Sequence, residues 1–137
     1  MICGFVCGPA GVASLCAGDT LRRVGVNIND LVLQHRLAGQ VAAPSPLAKS
    51  GLPVVLTGRS TTTGETLRIN AATTAAAQLA DPSGAATVVM IGQPGFGSAF
   101  FNGSVGLVCW CYADMPATHR AAIERFAALL TGASYAG

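Results

Sequence analysis

Charge is what this chain most lacks. Its eight Lys and Arg and six Asp and Glu make up 10% of 137 residues, where a globular domain carries about a quarter. A surface so short of solubilising charge leaves apolar patches that mark contact with other protein, so assembly is the leading expectation. Seven Arg and one Lys against six acids give a net charge of +2, scattered along the chain with no basic stripe. No nucleic-acid partner is therefore expected. The densest basic point, Arg22-Arg23, lacks the aromatic interleaving of a phosphate reader. It reads as a solvated strand edge or an interface pair.

Acidic residues are too few and too dispersed for the chemistry they usually serve. Glycoside hydrolysis needs two neighbouring carboxylates, one to attack or activate water and one to donate a proton. Glu65 and Glu124 are the only glutamates, and no two acids stand at i, i+2 or i, i+4. Calcium wants several converging oxygens, whereas Asp19, Asp30, Asp81 and Asp114 lie far apart and Asp81-Pro82-Ser83-Gly84 reads as a turn. No Ser occupies a nucleophile elbow, so His35 and His119 are assigned to a strand surface and a helix surface. No catalytic residue, metal ligand or cofactor is expected, and the protein reads as a non-enzyme.

Paired zinc spacing is missing too. Cys3, Cys7, Cys16, Cys109 and Cys111 offer C-x-x-x-C and C-x-C, with both histidines far away in sequence. On one strand Cys109 and Cys111 would share a face with their Cα atoms about 6.5–7 Å apart, too far for a comfortable bridge. Reduced thiols, buried as small apolar side chains, are the expectation, and they point to a reducing compartment. The uncharged opening "MICGFVCGPAGVASLCAG" has no basic residue before Arg22, and Gly4, Gly8, Pro9 and Gly11 interrupt it. An export signal or spanning helix needs the opposite pattern. "ASLC" before Cys16 is a poor lipoprotein site because Leu15 is bulky, and Asn102-Gly103-Ser104 is explained by turn geometry rather than glycosylation. An uncleaved chain with no membrane partner is expected.

What the sequence does contain is a series of short strands punctuated by Gly, Pro and Asn. "ICGFVC", "TLRRVGV" and "DLVLQHR" have the spacing of a meander, followed by a Pro/Ser/Gly-rich connection from Ala38 to Pro53. "VVLTG", "ETLRINAATTAAAQL" and "TVVMIG" follow, with Leu67 and Ile69 alternating against Thr66, Arg68 and Asn70 as in a half-exposed strand. After a Gly-rich loop, the segment from Ser104 to Tyr112 sets Val105, Leu107, Cys109 and Cys111 on one face and Val108, Trp110 and Tyr112 on the other. Such a strand is expected to be central and covered on both sides. The period then changes from 2 to 3.6, predicting one helix from Pro116 to Leu130. Asp114 is placed to cap it, Ile123, Phe126, Ala127 and Leu130 form its core face, Arg120 and Glu124 an i, i+4 surface pair, and Gly132 its stop.

This order, with Leu67, Ile69, Asn70, Ile91, Gly92, Phe101, Gly103, Val105, Tyr112, Met115, Arg120, Ile123, Glu124, Phe126 and Gly132 in matching places, resembles the C-terminal half of laminin G-like, concanavalin A-like jelly-roll domains. The likeness runs from Val54 to Gly132, with two departures: Ala71 stands where Gly follows Asn in the usual tight hairpin, and Pro116 where Ser or Thr caps the helix. It implies an all-β, antiparallel two-sheet jelly-roll sandwich with one C-terminal helix, as a single domain over residues 1–137. That fold hosts many functions. A small low-charge jelly roll is similar to the cement or decoration proteins of tailed bacteriophage capsids, which implies a virion structural protein, made in the host cytoplasm, that bridges neighbouring shell subunits. A homodimer is expected as the commonest symmetric assembly. Ile2, Phe5, Val6, Arg22 and Arg23 are the candidate partner contacts, unless the N-terminal segment is an ordinary edge strand. The alternative is a carbohydrate-binding, lectin-like module using the loop with Phe96, Phe100, Phe101 and Asn102 to hold a glycan.

Overall fold

The computed structural model describes residues 2–7, 14–19, 22–27, 30–35, 39–44, 51–61, 64–77, 89–91, 103–111 and 113–136, with side chains for most of those from 51 onward. Among these residues, strands β1 (Ile2–Cys7), β2 (Ser14–Asp19), β3 (Arg22–Asn27), β4 (Asp30–His35), β5 (Gly39–Pro44), β6 (Pro53–Thr61), β7 (Gly64–Ile69), β8 (Ala72–Ala77), β9 (Val89–Ile91) and β10 (Gly103–Cys109) precede one helix, α1 (Ala117–Thr131). The strands form two five-stranded sheets, ordered β10-β1-β6-β7-β8 and β5-β4-β3-β2-β9. Every pairing described is antiparallel. β2 and β5 are additions to the expected strands. β5 crosses the segment expected to be a connection, "GQVAAP" being held by its ladder to β4 rather than by strand-forming side chains of its own.

The doubly covered strand is β6, not β10. Its Val54, Val55, Leu56 and Thr57 are all buried, because β1 and β7 flank it and both of its faces are covered. Leu56 stands opposite Ile69, so these buried side chains share one face with Leu67. Val55, on the other face, packs with Ala127 and Ala128 beneath α1, joined by half-buried Leu107, Met115, Ile123 and Tyr135. β10 pairs only with β1, at the edge of its sheet among the described strands, with Gly103, Ser104 and Gly106 exposed. The strand also stops at Cys109, short of the expected Tyr112.

β7 alternates as expected, with Glu65, Leu67 and Ile69 buried and the residues between them half-exposed. It turns into β8 through Asn70 and Ala71, whose φ values of 50° and 74° are those of a two-residue type I′ turn. The tight hairpin therefore survives without the usual Gly. Asn70 explains how: its N–H donates to the Val55 carbonyl (2.9 Å) and its Oδ1 accepts from the Val55 N–H (2.9 Å). The side chain thus supplies the acceptor that the turning backbone withdraws.

The helix falls within one residue of its expected bounds, but its cap and its orientation differ. Pro116 is the N-cap, with φ −52° and ψ 142° and no side-chain capping bond. Asp114 does not cap because its carboxylate is bound to Arg59. Gly132 ends the helix in the left-handed region at φ 75°, where the Gly132 and Ala133 N–H groups both donate to the Ala128 carbonyl at 2.8 and 3.0 Å. The expected core face is overturned in part: Ala127 is buried and Ile123 half-buried, but Phe126 and Leu130 are each 54% exposed. The residues facing the sheet are instead Glu124, Ala127 and Ala128.

Candidate functional site

Two features of α1 need a functional account: a charge buried on its inner side and an apolar ridge on its outer side. Glu124 is fully buried. The expected Arg120–Glu124 surface pair gives way to a forked ion pair with Arg68 of β7, Nε to Oε1 at 3.1 Å and Nη2 to Oε2 at 3.3 Å. Arg68 Nη1 also donates to Thr73 Oγ1 of β8 at 3.1 Å, so one guanidinium ties the hairpin to the helix. Removing two charges from water is costly, and the two-pronged geometry is what offsets it. Small Ala127 and Ala128 beside Glu124 let the helix lie close to β6.

On the outer side Phe126, Leu129 and Leu130 are 54%, 77% and 54% exposed. Towards the N-terminus the same side of the helix opens into a groove of about 540 Å³. Cys111, Asp114, Met115, His119, Ala122 and Ile123 are among its lining residues, and the lining is mostly apolar. At its mouth Arg59 of β6 donates to Asp114 from Nε (2.9 Å to Oδ1) and Nη2 (2.7 Å to Oδ2). That hydrogen-bonded guanidinium holds the Asp114 carboxyl below the usual carboxylate range, with Arg120 adding a smaller push in the same direction. Cys111, an exposed free thiol just past β10, donates to the Ala113 carbonyl at 3.2 Å, and Cys109 is a free, half-buried thiol in the apolar cluster. Among the described residues no three His, Cys, Asp or Glu side chains gather as a metal ion would require. With Asp114 occupied by Arg59, what this groove can do is receive an apolar side chain.

The tail completes the arrangement. Tyr135 folds back so that its hydroxyl donates to the Ala121 carbonyl at 3.2 Å, its ring lies 5.5 Å from the Arg125 guanidinium, and the Ala136 N–H donates to the Asn70 carbonyl at 3.2 Å. No helix among the described residues is long and apolar enough to cross a membrane.

The residues expected to meet a partner do not form one group. Ile2, Phe5 and Val6 lie on β1, opposite Thr57, Val54 and Pro53 of β6 on one side and Cys109, Val105 and Ser104 of β10 on the other. β1 is thus an interior strand, which overturns the edge-strand alternative. Arg22 and Arg23 lie in the other sheet, on β3, opposite His35 and Gln34 of β4. β3 is likewise interior, so the reading of this pair as a strand edge falls. Phe96, Phe100, Phe101 and Asn102 lie outside the described residues.

Sequence reasoning missed the outer ridge. Its signal was present, because Ala121, Ala122, Ile123, Phe126, Ala127, Ala128, Leu129 and Leu130 spread apolar side chains over more than one side of the helix. A helix with so wide an apolar surface has more than one face to cover. No family model, curated protein or solved structure matches this chain.

Proposed function

We propose that this protein is a non-enzymatic structural component that sits on an assembled protein shell and stabilises it by bridging neighbouring subunits. The shell that the resemblance implies is a tailed-phage capsid, which makes the protein part of the virion. In this reading the whole chain is one jelly-roll sandwich: β3, β4 and β5 of one sheet approach β6, β7 and β8 of the other, and α1 covers the far side of the sheet that holds β6. The observation that carries the reading is the exposure of Phe126, Leu129 and Leu130 on a chain with 10% charged residues. Large apolar side chains left in water together mark a surface meant for other protein. The test compares particles assembled with and without the protein. Particles carrying it should rupture at a higher temperature, and the isolated protein should bind assembled shells better than free subunits. An unchanged rupture temperature, with tight binding to a defined oligosaccharide, would favour the lectin-like alternative instead.

A further inference from the structure

β7 carries a second buried acid, on the side away from the helix. Glu65 is 1% exposed. It stands opposite Ser60 of β6 and Ala77 of β8, on the same face as Leu56, Leu67 and Ile69 and on the opposite face from Arg68 and α1. A carboxylate so far from water needs a cation nearby. Of the eight Lys and Arg, Arg59 and Arg68 are bound to Asp114 and Glu124 on the outer face. Arg120 and Arg125 belong to α1, on that same outer side. Arg36 and Lys49 fall outside the described residues. Arg22 and Arg23 remain, both on β3.

The ladders choose between these two. Val24 stands opposite Leu33, which stands opposite Val41, and Val26 opposite Leu31, which stands opposite Ala43, so one face of the second sheet is apolar. The other face carries Arg23, Gln34, Gln40, Asn27 and Asp30. The apolar face is the one that a core takes in an antiparallel sheet. Arg22, two positions before Val24, stands at the end of that apolar face, with His35 opposite it and Asp19 on the rung beyond Gly18 and Arg23.

Connectivity sets this end against Glu65. Six residues join β1 to β2, eight join β5 to β6 and eleven join β8 to β9, and links of this length join strand ends that lie near one another. The first two bring the Cys7 and Pro53 end of one sheet to the Ser14 and Pro44 end of the other. The third brings the Ala77 end, where Glu65 lies, to the Val89 and Asp19 end, where Arg22 lies. We propose that Arg22 supplies the charge that balances Glu65, so that a buried arginine–glutamate pair ties the two sheets together at that end of the sandwich.

β7 then holds two ties, Arg68 to α1 on its outer face and Glu65 to β3 on its inner one. Two faces made of Val, Leu and Ala can pack in several alignments, whereas a buried pair is satisfied in only one. The inner tie thus fixes how the sheets align, and it removes Arg22 from the residues free to meet a partner. It rests on the sandwich reading and is independent of the shell.

The test is a double-mutant cycle followed by urea unfolding. Arg22→Met should lower the folded-to-unfolded ratio about a hundredfold, and by less than about tenfold when Glu65→Gln is already present. Equal costs in the two backgrounds would overturn the proposal. His35, opposite Arg22, gives a readout that packing alone does not move. In a His119→Gln background His35 is the remaining imidazole. Its titration midpoint by NMR should fall on adding Glu65→Gln and rise on adding Arg22→Met, because losing a nearby negative charge favours the neutral ring and losing a positive one the charged ring. A midpoint indifferent to Glu65→Gln would overturn the tie even if Arg22→Met fails to fold. Nuclear Overhauser contacts between the methyl groups of Leu33 and Leu67 test the sandwich separately. With those contacts present and the cycle additive, the tie falls and the sandwich stands; without them both fall.

Discussion

β6 and β10 lie two places apart in one sheet and are built from similar side chains, "PVVLTGRST" and "GSVGLVC", yet their surroundings differ sharply. Val54, Val55 and Leu56 are 0%, 1% and 0% exposed, whereas Val105, Leu107 and Val108 are only half-buried. Composition makes both segments strands. Position in the ladder decides how much each contributes, because β6 has strands on both edges and covered faces on both sides while β10 has one neighbour among the described strands. Burial on both faces thus belongs to the assembly of elements and cannot be read from one strand's own residues.

The largest expected effect tests that difference directly. Leu56→Ala should cost about 3 kcal/mol of unfolding free energy, as a large-to-small change in a closed site does. Leu107→Ala should cost about 1 kcal/mol, because its side chain is already partly in water. Urea unfolding of the two variants at neutral pH measures both, and equal costs would mean that β10 is as enclosed as β6.

Next comes the ion pair that fastens α1 across the sheet. Arg68→Met takes the described cation from a carboxylate that is fully buried, which should cost about 3 kcal/mol, the lower end of the range for buried pairs because Arg68 is itself 21% exposed. Arg68→Met combined with Glu124→Leu should recover most of that loss, since two apolar groups need no partner. A double change as costly as the single one would show that Arg68 acts through Thr73 or by packing instead.

A smaller change runs the other way. Ala71 holds φ at 74°, a left-handed conformation that costs a side-chain-bearing residue about 1 kcal/mol more than Gly. Ala71→Gly should therefore raise stability by up to about 1 kcal/mol, less whatever glycine adds to the freedom of the unfolded chain. A loss of stability would mean that the Ala71 methyl makes a contact worth more than the strain.

Parts of this architecture were legible from the chain and parts were not, for physical reasons. The β7 alternation was legible because Leu67 and Ile69 face one side and polar residues the other. The helix and its stop were legible because the apolar period changes and Gly132 suits a left-handed residue. Its orientation was not: apolar side chains on more than one side left the wheel without a unique inner face, and the decisive partner of Glu124, Arg68, is 56 positions away in sequence. Asp114 failed as a cap for the same reason, its carboxylate being claimed by Arg59, 55 positions earlier. β5, made of Gly, Gln, Val, Ala and Pro, has little strand preference of its own. Of the candidate site, the low charge correctly signalled unburied apolar surface, but placing it on α1 required knowing which side of the helix the sheet had taken.

The smallest expected effect is the pH dependence of the link between the two strands compared at the outset. Arg59 lies in β6 and Asp114 follows β10, so their forked pair joins the covered strand to the end of the exposed one, across the surface. The hydrogen-bonded guanidinium lowers the Asp114 carboxyl and the carboxylate raises Arg59. An acid whose folded value is lowered adds stability that is fully present above its unfolded value and is lost as pH falls through the folded one. A base whose folded value is raised loses its share only at strongly alkaline pH. The gap in melting temperature between wild type and Arg59→Gln should thus be constant from about pH 5 to 8 and close below about pH 4. It should stay small, and shrink in high salt, because the two side chains are 40% and 62% exposed and water screens them. The carboxyl of Asp114, followed by carbon-detected NMR, should titrate at a higher pH in Arg59→Gln than in wild type. A gap that widens on acidification would contradict the sign, and a large gap insensitive to salt would mean that this edge of the sheet is far better enclosed than the exposure of Asp114 implies.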